Sequence, residues 1–205
     1  MMNEKLINYI QDNILPEYSK NDIGHGIEHI NYVTDRCMMF AEQFENIDLD
    51  MLYTIAAFHD IAHHIDKKNH EILSAKTFFE NDEMKKFFSG EQRIIIKEAI
   101  EDHRASSNHT PRSDYGKIVS SADRSVDIDE FLKRTHQYTL KHFPDCSFDE
   151  MISRAYQHTH EKYGSNGYAK HFLIDEDYNK FRDEINILLI NRKLFEEKYR
   201  NINNI

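Results

Sequence analysis

Apolar residues recur at helical spacing along almost the whole chain. Leu6, Ile7, Ile10 and Ile14 share one face of an opening helix that Pro16 stops. The stretch Asn21-Asp22-Ile23-Gly24-His25-Gly26 is turn-rich, and after it Ile30, Val33, Cys37, Phe40 and Phe44 step by three or four residues, predicting an amphipathic helix. Asp48 or Asp50 can cap the next one, in which Leu49, Leu52, Ile55, Ala56 and Phe58 run on into His59-Asp60-Ile61-Ala62-His63-His64. The same period predicts helices at about residues 70–80, 91–104, 117–133 and 149–162, with Gly90, Pro111 and Gly116 as punctuation, and a last helix carrying Phe181, Ile185, Leu188 and Phe195. Strand alternation is not evident. The expected fold is all-α, a single-domain helical bundle spanning residues 1–205.

Composition sharpens this. A chain of 205 residues can bury a sizeable core, and 40% hydrophobic residues with 13 Phe and 11 Tyr separate it from disordered sequences despite a charged fraction of 30%. With 26 Lys and Arg against 36 Asp and Glu the net charge is −10, which repels a phosphate backbone and argues against a nucleic-acid coat. Cys37 and Cys146 stand far apart and form neither a disulfide framework nor a thiolate metal motif. No apolar run reaches membrane-spanning length and the N-terminus lacks a signal core, so a cytoplasmic protein without membrane association is expected; a homo-oligomer is compatible with all of this.

The 13 histidines carry the candidate chemistry. His59 continues the stripe Leu52, Ala56, and His103 the stripe Ile96, Ala99, Ile100, so both rings should face the core. Asp123 stands four residues after Val119 and three before Val126, where an apolar side chain is expected, and His29 precedes Val33, Cys37 and Phe40 on its own inward face. His70 follows the pattern less closely. A buried ionised Asp is costly unless paired or bound to metal, and buried imidazoles need partners. Several of them converging from separate helices of one bundle is how bundle metal sites are built. Adjacent His59 and Asp60 point about 100° apart on a helix, so a site between them leaves the carboxylate free to bridge two ions.

At these residues the sequence resembles the HD-domain superfamily of metal-dependent phosphohydrolases, whose pattern is His, then His-Asp, then often two further His, then Asp. The matching positions are His29, His59-Asp60, His70 and His103, and Asp123, within about residues 22–130, with His25-Gly26-Ile27-Glu28-His29, Phe58-His59-Asp60-Ile61-Ala62 and Ser121-Ala122-Asp123-Arg124 as flanks. The resemblance implies an HD-type helical domain with C-terminal helices at about 149–200 packed on its core. It implies that His29, His59, Asp60 and Asp123 bind one divalent metal and that His70 and His103 bind a second bridged by Asp60. One common form of the motif has a lysine three residues after the Asp, where this chain has His63. His63 then becomes a candidate for contacting phosphate or donating a proton, beside Asp60 as the second catalytic candidate.

Imidazole and carboxylate without thiolate suit Fe, Mn, Co, Ni or Zn and, with oxygen ligands, Mg, without ranking them. Two such ions would activate a shared water for hydrolysis of a phosphoester in a small phosphorylated metabolite, a nucleotide being the leading class. Arg104 and Arg124, each beside a ligand position, and Lys162 are the substrate-binding candidates. Tyr163 and Tyr168, around the loop Gly164–Gly167, offer rings to stack on a base. Two alternatives stand beside the hydrolase. A di-iron oxygenase on an HD-like fold would use the same ligands. A non-catalytic HD signalling module would be expected to have lost some of them, whereas all six are present. A (p)ppGpp hydrolase is disfavoured, because His63-His64 replaces the acidic pair that follows His-Asp in that family.

Overall fold

The computed structural model describes residues 2–205, Ile23 by its backbone only, and among these residues every regular element is helical. The chain divides into two compact units, one running up to Asp123 with His171–Leu173 added, the other comprising Arg124–Lys170 and Ile174–Ile205. No helix is long and apolar enough to cross a membrane, among the described residues.

The first unit contains α1 (Glu4–Asn13), two 3-10 turns (Leu15–Lys20 and Ile23–His25), α2 (Ile27–Ala41), α3 (Leu49–Phe58), α4 (His70–Glu80), the short α5 (Met84–Phe87), α6 (Gly90–Asp102) and α7 (Asp114–Ala122). Its starts are set by the expected residue types. Asp48 rather than Asp50 caps α3 by accepting from the amides of Asp50 and Met51, and Ser89 with Gln92 forms a capping box on α6. Leu6, Ile10, Val33, Phe40, Leu52, Phe58, Phe78, Ile96, Ile100 and Val119 fill one continuous core, so each apolar stripe faces inward as its period required. The second unit holds α8 (Ile128–His142), α9 (Phe148–Tyr163), α10 (Glu176–Ile190) and α11 (Arg192–Asn203) around Phe131, Tyr163, Phe181, Phe195 and Tyr199.

Three helices expected from periodicity end early: the last, expected to carry Phe181 through Phe195, breaks at Asn191, whose side chain accepts from the Leu194 amide to start α11, and the other two end where the chemistry sits. The helix expected through His59–Asp60 stops at Phe58 because side chains take over its last carbonyls. The Ala56 carbonyl, which the Asp60 amide would use in a continuing helix, is contacted by His59 Nδ1 at 2.8 Å, and the Ala57 carbonyl accepts from the Tyr18 hydroxyl at 2.8 Å. Residues 59–65 proceed through tight turns, with the Asn21 amide donating to the Asp60 carbonyl at 3.0 Å and the Ala62 amide to Ser74 Oγ at 3.1 Å. The helix expected over 117–133 is two helices. α7 ends at Ala122 with Asp123 as its cap, and Asp127 starts α8 by accepting from the Glu130 amide at 2.9 Å.

After α6 the chain is clamped by the buried carboxylate of Asp102. It accepts from the Arg112 amide at 2.6 Å and from Arg112 Nη2 at 2.8 Å, and His109 Nε2 lies 2.9 Å away. Gly116 allows a close approach here: a Cβ on it would lie 3.0 Å from Asp102 Oδ2 and 3.0 Å from Pro111 Cβ, tighter than ordinary contact.

Candidate metal centre

All six residues singled out as ligands belong to the first unit, and they meet at helix ends rather than in mid-helix. His59 caps the C-terminus of α3, His103 that of α6 and Asp123 that of α7, while His70 opens α4 and His29 lies in the first turn of α2. Three helix C-termini, each carrying partial negative charge, are thereby directed to one place, which favours a cation there.

The distances arrange the six in two groups around one carboxylate. Asp60 Oδ2 lies 3.6 Å from His29 Nε2 and 3.5 Å from His59 Nε2, and His29 Nε2 lies 3.2 Å from Asp123 Oδ1. Asp60 Oδ1 faces the other way, 3.2 Å from His70 Nε2 and 3.3 Å from His103 Nε2. Asp60, 2% exposed, therefore stands between a His29–His59–Asp123 group and a His70–His103 group, and each set of ligand atoms is compact enough to hold one ion.

Whether these residues suit a metal is decided by their hydrogen bonds. The Nδ1 atoms of His59, His70 and His103 each contact the backbone carbonyl three residues earlier, at 2.8, 3.1 and 2.6 Å. That contact fixes the Nδ1–H tautomer and turns the Nε2 lone pair toward the cluster, which is how metal-binding histidines are oriented. His70 Nε2 and His103 Nε2 then lie 3.1 Å apart, two lone pairs that repel unless a proton or a metal ion lies between them. His59 Nε2 and Asp60 Oδ1 are buried without a hydrogen bond. The donor set fits a divalent metal in both groups.

Electrostatics shows how strongly protons compete for the site. Burial disfavours a charged His29, but the Asp123 and Asp60 carboxylates outweigh it and raise this imidazole to about 9. His103 is likewise raised, Asp60 overcoming burial. His59 is pushed down to about 4, chiefly by burial, and burial with the neighbouring His103 lowers His70. Burial opposes ionisation of Asp60, yet His59, His103 and His29 hold its carboxyl well below the usual range.

These shifts fix the pH dependence of the metal-free protein. From the unfolded histidine value near 6.5 up to about 9 the native state holds the His29 proton more tightly, so stability falls as pH rises through that window. From about 6.5 down to about 4 the unfolded state protonates His59 while the native state does not, so stability falls as pH drops. Urea melts in the presence of a chelator are expected to peak near pH 6.5; a curve still rising from pH 7 to 9 would contradict the His29 assignment.

The remaining candidates are distributed as follows. His63 is buried, its ring 5.1 Å from that of His70, with Nδ1 lacking a hydrogen bond. Arg104 donates to Glu71 Oε2 at 2.8 Å and to the Lys68 carbonyl, and lines a cavity of about 470 Å³ with Lys68, Glu71, His109 and Arg112. Arg124 and Lys162 belong to the second unit. Arg124 is buried, with Nε donating to the Lys170 carbonyl at 3.1 Å, and Lys162 Nζ lies over the rings of Phe131 and Tyr163 at 5.5 and 5.3 Å. Tyr163 is fully buried between Phe131 and Phe181 and offers no open face to a base, which corrects the stacking role expected for it.

A family model for the HD domain matches residues 26–126, the span that carries all six positions. The chain belongs to the HD-domain superfamily. HD domains are commonly metal-dependent hydrolases that bind divalent ions, and the matched span contains the His/Asp groups described above, which are able to hold a metal. No curated protein and no solved structure matches the chain significantly. One part of the neighbourhood escaped sequence reasoning. His25, four residues before His29, and Asp22 pack beside the HD residues, and their turn-forming context gave no helical stripe from which to place them.

Proposed function

We propose that the protein is a metal-dependent phosphohydrolase whose HD centre holds two divalent ions and cleaves a phosphoester bond of a small phosphorylated metabolite, nucleotides being the first class to test. The observation that carries this reading is the division of Asp60 between the two groups, one oxygen toward His29 and His59 and the other toward His70 and His103. His29, His59, Asp60 and Asp123 would hold one ion, and His70 and His103 with Asp60 the other. The ions would supply a water acidic enough to attack phosphorus near neutral pH and would offset charge developing on the phosphoryl oxygens. The chain's own part is to fix the ligands: the three backbone carbonyls orient His59, His70 and His103, and the Asp123 carboxylate lies against His29.

The reading is tested by metal analysis of anaerobically purified protein, followed by a phosphate-release screen over nucleotides and sugar phosphates. Metal-dependent release from at least one class is expected. Bound iron with substrate-dependent oxygen consumption and no phosphate release would replace the hydrolase by an oxygenase.

A further inference from the structure

His70 and His103, the pair assigned to the second ion, are each followed by a charged residue, and those two residues meet. Arg104 Nη1 donates to Glu71 Oε2 at 2.8 Å and to the Lys68 carbonyl, while Arg104 Nε donates to Ser106 Oγ at 2.9 Å. One guanidinium, directly after the C-cap of α6, therefore grips two acceptors that flank His70 in the chain, one on each side. Glu71 Oε2 also lies 3.6 Å from His70 Nδ1, beyond hydrogen-bond length but near enough to set negative charge against the ring.

The start of α4 needs such a hold. Its N-cap, Asn69, makes no side-chain capping bond, so the turn that carries His70 is not fixed as Asp48 fixes α3 or Ser89 fixes α6. The His70 side chain is 13% exposed against 1% for His103, so core packing immobilises it less. His103 is oriented from within its own helix by the Ile100 carbonyl, whereas His70 leans on the Lys67 carbonyl, next to the Lys68 carbonyl that Arg104 holds. The 3.1 Å separation of the two facing Nε2 atoms thus depends on how the first turn of α4 sits against the end of α6. With side-chain exposures of 29% and 15%, the Arg104–Glu71 pair is less screened than a surface pair such as Lys76–Glu80.

We propose that Arg104 and Glu71 are positioning residues for the second ion: their bridge holds His70 at the spacing from His103 at which both rings bind one metal with Asp60. The inference rests on the two-ion reading of the centre, and it takes Arg104 out of the substrate-binding role expected from the sequence. The bridge lies on the His70–His103 side, so its effect is confined to that ion.

The test titrates manganese calorimetrically into the metal-free full-length protein, with bound manganese and circular dichroism measured on the same samples. The parent should take up two equivalents, and His70→Ala, which removes a ligand, marks which of them is the second. Arg104→Ala should weaken that same equivalent about 10–100-fold, the usual cost of losing a group that orients a metal ligand, and leave the other unchanged. Glu71→Gln should act in the same direction. Arg104→Lys, whose ammonium can donate to the same two oxygens, should recover part of the affinity. Equal weakening of both equivalents would overturn the proposal, since that is what a merely structural pair produces. Two equivalents bound as tightly in Arg104→Ala and Glu71→Gln as in the parent would overturn the proposal alone, whereas a parent that binds a single equivalent overturns the two-ion reading and the proposal with it.

Discussion

Asp60→Ala is expected to lower kcat/KM for phosphoester hydrolysis by more than about a hundredfold, since even one electrostatic contact to a transition state can be worth that much and this carboxylate serves both halves of the centre. The loss should appear in kcat, because the ions act on charge that develops during the reaction rather than on the bound substrate. Metal content should fall with activity. Removing Asp60 leaves His29, His59, His70 and His103 without the carboxylate that all four rings approach within 3.6 Å. Circular dichroism on the variant separates loss of chemistry from loss of fold. A folded Asp60→Ala protein retaining substantial metal-dependent activity would remove the residue from the centre.

Metal removal is expected to have the largest effect on stability. An ion that binds only the native state at a free concentration a hundred times its dissociation constant contributes about 2.7 kcal/mol, which for a chain of this size raises Tm by about 5–10 °C. The effect should be visible because the metal-free centre is internally opposed: the buried Nε2 of His59 lacks a hydrogen bond, and His70 and His103 face each other at 3.1 Å. Chelation should lower Tm by that amount, and manganese or zinc should restore it. A melting curve indifferent to chelator and metal would contradict a centre built for cations.

Much of this was legible in the sequence for a definite physical reason. His59, His103 and Asp123 occupy positions where the 3.6-residue period demanded an apolar side chain, and a polar group there needs a partner in the core. The same period placed the core faces of α2, α3 and α6 correctly. It misjudged where helices end, because termination came from distant partners: Tyr18 on the Ala57 carbonyl, Asn21 on the Asp60 carbonyl and Ser74 on the Ala62 amide act across 39, 39 and 12 residues. The error mattered for the site, since helix ends bring His59, His103 and Asp123 together with three C-termini aimed at a cation. His25 and Asp22 were not singled out for a related reason. They sit in and just before a 3-10 turn, where no periodicity marks a face, and only the packing of that turn on residues 59–65 brings them beside the cluster.

The central claim is that Asp60 is shared by two metal ions, and anomalous diffraction from crystals grown with manganese tests it most directly. The expected map has two peaks flanking the Asp60 carboxylate, one within coordinating distance of His29, His59 and Asp123 and the other within coordinating distance of His70 and His103. A single peak, or two peaks neither of which is bound by Asp60, would contradict it.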